Sequence, residues 1–210
     1  MTTPLDSVIV HDLKNRLALL ADSLARLQVL SSAGEAQELA AGSHAQVLQL
    51  THRLSGLLLT QRLASGRRLP VHLQDESPAQ MLEELADDAR LLGGGRLQIE
   101  VRAAPELPAM WICDRHLLRL ALDSALYNAL HYAVSRIRLA AALGEDGMLV
   151  FSIADDGPGP AAATPGEHST GLGLQVCRAV AQAHRNKGRE GLSRLSEGVG
   201  GGALFELRIP

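Results

Sequence analysis

The chain has 210 residues, of which 46% are hydrophobic but only 2% aromatic, and its formal net charge is −3 at pH 7. This length suffices for one large domain or two smaller ones, with mainly leucine, alanine and valine available for the core. No basic stripe is present, so a nucleic acid is not expected as a direct partner. The start lacks a signal-peptide pattern, no segment is apolar enough to span a membrane, and Cys113 and Cys177 are far apart in the chain. The sequence therefore predicts a cytoplasmic protein with buried thiols and no direct membrane contact.

Two leucine-rich segments at the start of the chain have the periodicity of helices. In the first, residues 5–30, leucines recur at alternating steps of 4 and 3 from Leu13 to Leu27. The second, after a polar break at 31–35, runs from Val47 to Leu57 and fades near residue 64. Two such helices form an antiparallel hairpin whose apolar seam needs a partner, which predicts a four-helix bundle in a homodimer. The alternative is two helices of a larger monomeric domain.

After Pro70 the pattern changes to a mixture of strands and helices. The predicted strands, recognised by alternation of apolar and polar residues, cover 71–74, 96–103, 110–113, 135–143, 147–155, 191–195 and 203–209. The predicted helices cover 77–92, with Ser77 as N-cap, 115–133, capped by Asp114, and 173–184. The sequence thus predicts an α+β chain: a helical hairpin over 1–68, followed over 69–210 by an α/β sandwich with a mixed sheet and helices on one face.

A histidine on the first predicted helix is a candidate nucleophile. His11 opens the run His11-Asp12-Leu13-Lys14-Asn15. Leu13 lies on the apolar seam, so His11 is rotated toward solvent, and Asn15 at i+4 shares its face. A neutral imidazole is a competent nucleophile near pH 7 because its reference pKa is about 6.5, and the neighbouring Asp12 can favour the required tautomer. Taken alone, the run favours a solvated surface histidine, because the chain has eight histidines and most of them have no special role.

Three segments in the second half of the chain have the residues of a nucleotide site. Asn128, on the helix over 115–133, offers an amide oxygen of the kind that Mg²⁺ prefers. Asp155 opens the run Asp-Asp-Gly-Pro-Gly directly after a strand, where it can accept from an amino group such as adenine N6. The run Ser-Thr-Gly-Leu-Gly-Leu at 169–174 opens the next helix with N–H groups suited to phosphate. Each segment is common alone, but their order indicates a nucleotide site.

These three segments resemble the N, G1 and G2 boxes of the ATP-binding domain shared by histidine kinases, DNA gyrase and a heat-shock chaperone. The His11 run resembles the H box of the kinases, and the closing run 198–210 is similar to the family's final glycine-rich turn and strand. The resemblance to sensor histidine kinases covers nearly the whole chain. It implies that ATP is used with Mg²⁺, that His11 accepts the phosphoryl group with help from Asp12, and that Asn15 acts in dephosphorylation of the partner regulator.

The resemblance also implies the residues of the nucleotide site. Asn128 would hold the metal and Asp155 would bind the adenine. Further contacts would come from Ser124, His131, Tyr132, Gly157, Gly159, Thr170, Gly171, Leu172, Gly173 and Leu174. The implied function is autophosphorylation on His11, followed by phosphotransfer to an aspartate on a response-regulator receiver domain. The alternatives are a histidine phosphotransferase or scaffold with a degenerate ATPase domain, and a serine kinase or ATPase of the same superfamily, which lacks a His-bearing hairpin.

Several positions depart from the family pattern. Ser124 stands where the family usually has Asn or Glu, His131 stands where Lys or Arg usually contacts phosphate, and Arg16 replaces a common Pro. The lid at 160–170 is short and has no F box. Because a mostly neutral histidine supplies less charge to phosphate than Lys or Arg, these departures predict slow autophosphorylation.

Overall fold

A computed structural model describes residues 69–160 and 172–210 together with Ser43, Leu50, Leu54, Gly56 and Gln61. Contacts divide the chain into two units, Met1–Leu54 and Ser55–Pro210, and every helix and strand described below belongs to the second. Apart from those five residues, the predicted helical hairpin with its four-helix bundle and the His11 run lie outside the described residues. Within the described part of the chain, none of the helices has the length and apolar character needed to cross a membrane.

Two of the three helices in residues 69–160 and 172–210 are capped by the residues that the sequence indicates. Helix α1 spans Pro78–Gly93: the Ser77 hydroxyl accepts from the Gln80 N–H at 3.3 Å, and Gly94, with φ 58°, ends the helix. Helix α2 spans Arg115–Tyr132, and the Asp114 carboxylate accepts from the N–H of Leu117 at 3.0 Å. Helix α3 spans Leu172–Ala183. The predictions of Ser77 and Asp114 as N-caps are confirmed.

Nine strands lie in the described ranges 69–160 and 172–210, and five of them form the main sheet. They are β1 Gln74–Glu76, β2 Gln98–Ala103, β3 Trp111–Cys113, β4 Arg136–Leu143, β5 Leu149–Asp155, β6 Arg185–Asn186, β7 Arg189–Glu190, β8 Leu192–Glu197 and β9 Ala203–Ile209. The main sheet has the order β2-β4-β5-β9-β8, in which β2 and β4 are parallel and the other neighbours antiparallel. β1 pairs with β3, and β6 pairs with β7.

One face of the main sheet carries the core. Leu139, Ile153 and Phe205 stand in register across β4, β5 and β9, and all three are buried. They pack in one cluster with apolar residues of all three helices, whereas the opposite face of the sheet carries the charged residues of β4. Period-two alternation in each central strand produces this division, because successive side chains point to opposite faces. The predicted mixed sheet with helices on one face is confirmed for residues 69–160 and 172–210.

Two local features differ from the sequence prediction. The strand predicted at 71–74 begins only at Gln74, where pairing with β3 starts opposite Cys113, because the N–H of His72 is bound to the Asp114 carboxylate at 2.8 Å. The β6–β7 hairpin was not predicted. Its two-residue turn has positive φ at both Lys187 (48°) and Gly188 (79°), as a type I′ hairpin turn requires.

Candidate nucleotide site

The first turn of α3 lies directly on α2, at the position of Ser124 and Asn128. A Cβ atom placed on Gly173 would be 2.6 Å from the Ser124 hydroxyl oxygen and 3.6 Å from the Asn128 side-chain nitrogen. Glycine at this position therefore allows the two helices to approach, and the N and G2 segments of the sequence meet here. Asn128 is exposed beside the start of α3, whereas only 7% of the Ser124 surface is exposed. Ser124 thus packs between the helices, while Asn128 is accessible to a ligand.

A buried thiol completes the contact between α2 and α3. The Cys177 thiol, one turn into α3, donates to the Ala121 carbonyl oxygen at 3.4 Å. Burial raises the pKa of this thiol to about 12, with lowering contributions from its own backbone and from Ser124. At neutral pH the group is therefore a packed thiol and not a reactive thiolate. Cys113 is also buried, so the prediction of two buried free thiols is confirmed.

Asp155 is the last residue of β5 and lies on the face of that strand that is covered by the helices. It alternates with the buried Phe151 and Ile153, which places its carboxylate on the same side as α2 and α3. Its Oδ1 atom accepts from the N–H groups of Gly157 at 2.9 Å and Ala203 at 3.3 Å. Within residues 69–160 and 172–210, no group donates to Oδ2. The backbone thus holds one carboxylate oxygen, Oδ1, in place.

Glycines allow the loop after β5 to lie against two other backbone segments. A Cβ atom on Gly157 would overlap the carbonyl oxygen of Tyr132, the last residue of α2. Gly159, at φ 81°, lies against Gly202, and a Cβ atom on Gly202 would overlap the carbonyl oxygen of Asp155. Gly202 was not predicted as a site residue, although the run of three glycines at 200–202 could have indicated a close approach of two backbone segments. The loop carrying Asp155 is therefore seated on the end of α2 and on the turn before β9.

His131 and Tyr132 occupy the end of α2. Their rings meet edge to face with centroids 4.8 Å apart, His131 being exposed and Tyr132 half-buried. His131 lies three residues after Asn128, so the two side chains share a face of the helix. A ligand beside Asn128 would therefore be within reach of His131.

The structure brings together most of the predicted nucleotide-site residues in its described part. Ser124 and Asn128 meet Gly173, and Tyr132 meets the loop of Asp155 and Gly157, with α2 as the shared wall. Leu174 is half-buried and packs against the core, and Leu172 begins α3. The other predicted residues, His11, Asp12, Asn15, Thr170 and Gly171, lie outside the described residues. The described part of α3 begins at Leu172, and a helix N-terminus is a position at which phosphate binds in many proteins.

Comparison with known proteins places this site in a family. Residues 113–210 match the family described as "Histidine kinase-, DNA gyrase B-, and HSP90-like ATPase". The chain is 35% identical over 189 residues to Sensor protein kinase CarS of Pseudomonas aeruginosa, a match covering 82% of this chain and 39% of that protein. The chain therefore spans about two-fifths of the length of this curated relative.

Solved histidine kinases share the fold. Histidine kinase AdeS of Acinetobacter baumannii superposes with a TM-score of 0.62 at 20% identity, over 95% of this chain and 96% of that one. Full-length ShkA, solved in complex with AMPPNP, superposes with a TM-score of 0.62 at 23% identity, over 100% of this chain and 46% of that one. The recognition drawn from the sequence motifs is confirmed: residues 113–210 carry the ATPase domain that this family describes, and the curated relative is a sensor kinase.

Proposed function

We propose that this chain is the catalytic part of a sensor histidine kinase, which transfers the γ-phosphoryl group of ATP to His11 and then to an aspartate on a response-regulator receiver domain. The observation that carries the proposal is the position of α2 between two groups of ligand-binding residues. Asn128 lies against the first turn of α3, and Tyr132 lies against the loop carrying Asp155. One helix thus brings a phosphate-binding helix terminus and an adenine-accepting carboxylate into one site.

The nucleotide contacts follow from the chemistry of these groups. The Oδ2 atom of Asp155 would accept from the adenine amino group, and the N–H groups at the start of α3 would bind phosphate oxygens. The exposed amide of Asn128, beside that helix terminus, fits an oxygen ligand of Mg²⁺, which when bound neutralises charge on the triphosphate. The structural relative ShkA was solved in complex with AMPPNP, an ATP analogue, and this supports ATP as the nucleotide of the present chain.

The phosphoryl group moves to His11 by in-line displacement. A neutral imidazole nitrogen forms the bond to γ-phosphorus as the bond to the β,γ-bridging oxygen breaks and ADP leaves. Asp12 would stabilise the positive charge that develops on the ring, and Asn15 would orient water when the partner regulator is dephosphorylated. We assign residues 1–68 to dimerisation and phosphotransfer and residues 69–210 to ATP binding, with the active molecule a homodimer in the cytoplasm.

A second candidate is a histidine phosphotransferase or scaffold that has lost ATP turnover. The observation favouring it is the burial of Ser124 beneath α3, which leaves no polar side chain from this position at the site. Against it stands Asp155, whose backbone-held carboxylate and tightly seated loop a phosphotransferase does not need. We therefore favour the kinase.

The proposal is tested by incubation with γ-labelled ATP and by calorimetry of ATP binding. The native chain should acquire an acid-labile, base-stable label. His11→Gln should abolish the label with ATP affinity unchanged, while the control His52→Gln, on the second predicted helix, keeps it. Asp155→Asn should weaken ATP binding about tenfold or more, because a charged acceptor contributes roughly 1.5–3 kcal/mol. If the native chain binds ATP without being labelled, the scaffold is favoured. If it binds no ATP, both the proposed ATP binding and the proposed phosphoryl transfer from ATP are refuted.

A further inference from the structure

Asp156 holds the connection between α2 and β4, although it is not among the predicted nucleotide contacts. Its Oδ1 atom accepts from three successive backbone N–H groups, those of Val134, Ser135 and Arg136, each at 3.0 Å. Its Oδ2 atom accepts from the Ser135 hydroxyl at 2.5 Å and again from the Ser135 N–H at 3.2 Å. Successive N–H groups converging on one oxygen form a nest, a backbone arrangement that binds anions. Here the anion is the protein's own carboxylate.

The ionised carboxylate is the form that this nest binds. Partial desolvation raises the pKa of Asp156, but the hydrogen bonds from the Ser135 hydroxyl and from the N–H groups of residues 134–136 outweigh it and hold the pKa well below its usual range. Hydrogen bonds to the charged form of an acid act in this direction. Asp156 is therefore a permanent anion at neutral pH, and its position is determined by the backbone that follows α2.

Asp156 stands between the two parts of the nucleotide site. It follows Asp155 directly in the chain, and it precedes Gly157, which lies on the carbonyl group of Tyr132. The nest residues begin two positions after Tyr132, on the same chain segment that leads from Asn128 into β4. A shift at this junction would change the distance between Asp155 and Asn128 without disturbing either side chain itself.

We propose that Asp156 is a positioning residue for nucleotide binding: its carboxylate, held by the N–H groups of residues 134–136, sets the end of α2 relative to Asp155. The carboxylate of Asp155 and the metal- and phosphate-binding groups of α2 and α3 can then contact the same nucleotide at the same time. This inference rests on the proposed function, because it presupposes that the site binds ATP.

Two substitutions separate the hydrogen bonds of Asp156 from its charge. Asp156→Ala removes both. Asp156→Asn removes the charge and the bond from the Ser135 N–H to Oδ2 at 3.2 Å, but its amide oxygen can still accept from the three N–H groups and its amide nitrogen can donate to the Ser135 hydroxyl oxygen. If a negative charge near the triphosphate merely repelled it, both variants would bind ATP more tightly. If the hydrogen bonds position the site, Asn rescues the affinity that Ala loses.

A comparison of adenosine with Mg²⁺-ATP distinguishes a displaced α2 from general damage to the nucleotide site. Adenosine needs only the adenine contact at Asp155, whereas Mg²⁺-ATP needs that contact and the groups of α2 and α3 simultaneously. A displaced α2 therefore weakens ATP binding more than adenosine binding. The matched control is Asp146→Ala, since Asp146 also caps a turn, accepting from the Met148 N–H at 3.1 Å, but lies between β4 and β5 at their other ends.

The experiment is calorimetry of both ligands with the full chain and each variant, together with urea unfolding. We expect Asp156→Ala to weaken ATP binding roughly five- to tenfold, equivalent to about 1–1.4 kcal/mol. Adenosine affinity should change less than about twofold, a difference within the usual scatter of additive effects. Asp156→Asn should bind ATP like the native chain, as should Asp146→Ala.

Three results would overturn the inference: unchanged ATP affinity in Asp156→Ala, an equal loss for ATP and adenosine, or an Asn variant as weak as the Ala variant. If Asp156→Ala does not fold, Ser135→Ala replaces it, since it removes only the hydroxyl bond. That variant should weaken ATP more than adenosine, and equal affinities to the native chain would refute the role. A native chain that binds no ATP would instead refute the proposed function itself, so the two failures are distinguishable.

Discussion

Replacement of Gly173 by alanine tests the contact that joins the N and G2 segments. The added Cβ atom would be 2.6 Å from the Ser124 hydroxyl oxygen, which is closer than such atoms approach in proteins. Ser124 is buried between α2 and α3 and has little room to move, so α3 must shift. Overpacking of this kind costs about 1–3 kcal/mol, partly offset by alanine's advantage of up to about 1 kcal/mol over glycine in a helix.

A second substitution, Ser124→Ala, removes the hydroxyl oxygen with which the new Cβ atom clashes, and the two substitutions together form a double-mutant cycle. In that background the nearest neighbours of the new Cβ are the Asn128 side-chain nitrogen at 3.6 Å and the Cβ of residue 124 at 4.0 Å, both ordinary contacts. Ser124→Ala alone should cost about 0.5–1.5 kcal/mol for a lost hydrogen bond. The double variant should therefore be more stable than the sum of the two single effects predicts, by about 1–3 kcal/mol.

Urea unfolding of the native chain and the three variants measures this coupling directly. ATP affinity should follow the same order, since a displaced first turn of α3 misplaces its phosphate-binding N–H groups: Gly173→Ala weakens binding and the double variant recovers it. If the two effects on stability are simply additive, Gly173 does not contact Ser124 as described, and the joining of the two segments through glycine is wrong.

Three further predictions concern pH, rate and assembly. The Nε2 atom of buried His184 accepts from the Asp114 N–H at 3.0 Å, its Nδ1 atom bonds the Val180 carbonyl oxygen at 2.8 Å, and burial lowers its pKa. The native state therefore binds fewer protons than the unfolded state below about pH 6.5. The free energy of unfolding consequently decreases as the pH falls from there through the lower pKa of the folded state, by at most about 1.4 kcal/mol per pH unit. Urea unfolding from pH 7 to 5 should show a shallower pH dependence in His184→Gln, and an unchanged dependence would contradict this account. His131→Lys should speed autophosphorylation, since an ammonium supplies more charge to the transition state than a mostly neutral imidazole; slower labelling in a folded variant would assign His131 a role of its own. Light scattering should give twice the chain mass of 22.3 kDa, whereas a monomer at micromolar concentrations would contradict the dimer predicted through residues 5–64.

Much of the ATPase domain could be predicted from the sequence because its signals are local. Period-two alternation identified β4, β5 and β9, and the caps Ser77 and Asp114 need only residues three positions away. The order of the N, G1 and G2 segments indicated a nucleotide site for the same reason. Each segment has the side chains or glycines that its own turn or helix end requires.

Other features depended on partners far apart in the chain. Asp114 was predicted as a helix cap, but its second oxygen also holds the N–H of His72, forty-two positions earlier, and this bond delays the start of β1. Asp88 of α1 forms an ion pair with Arg119 of α2 at 2.5 Å. Neither pairing has a periodic or local signal, so neither could be predicted without the packing of α1, α2 and β1.

The residue types at the site were determined by the sequence, and their roles by the tertiary structure. Ser124 was expected at the nucleotide, but the approach of α3 at Gly173 buries it between two helices. Asp156 looked like one residue of a turn, but the backbone after α2 surrounds its carboxylate with N–H groups. A motif specifies which groups are available, whereas the direction in which each group points depends on which backbone packs against it. That is decided only when distant segments of the chain meet.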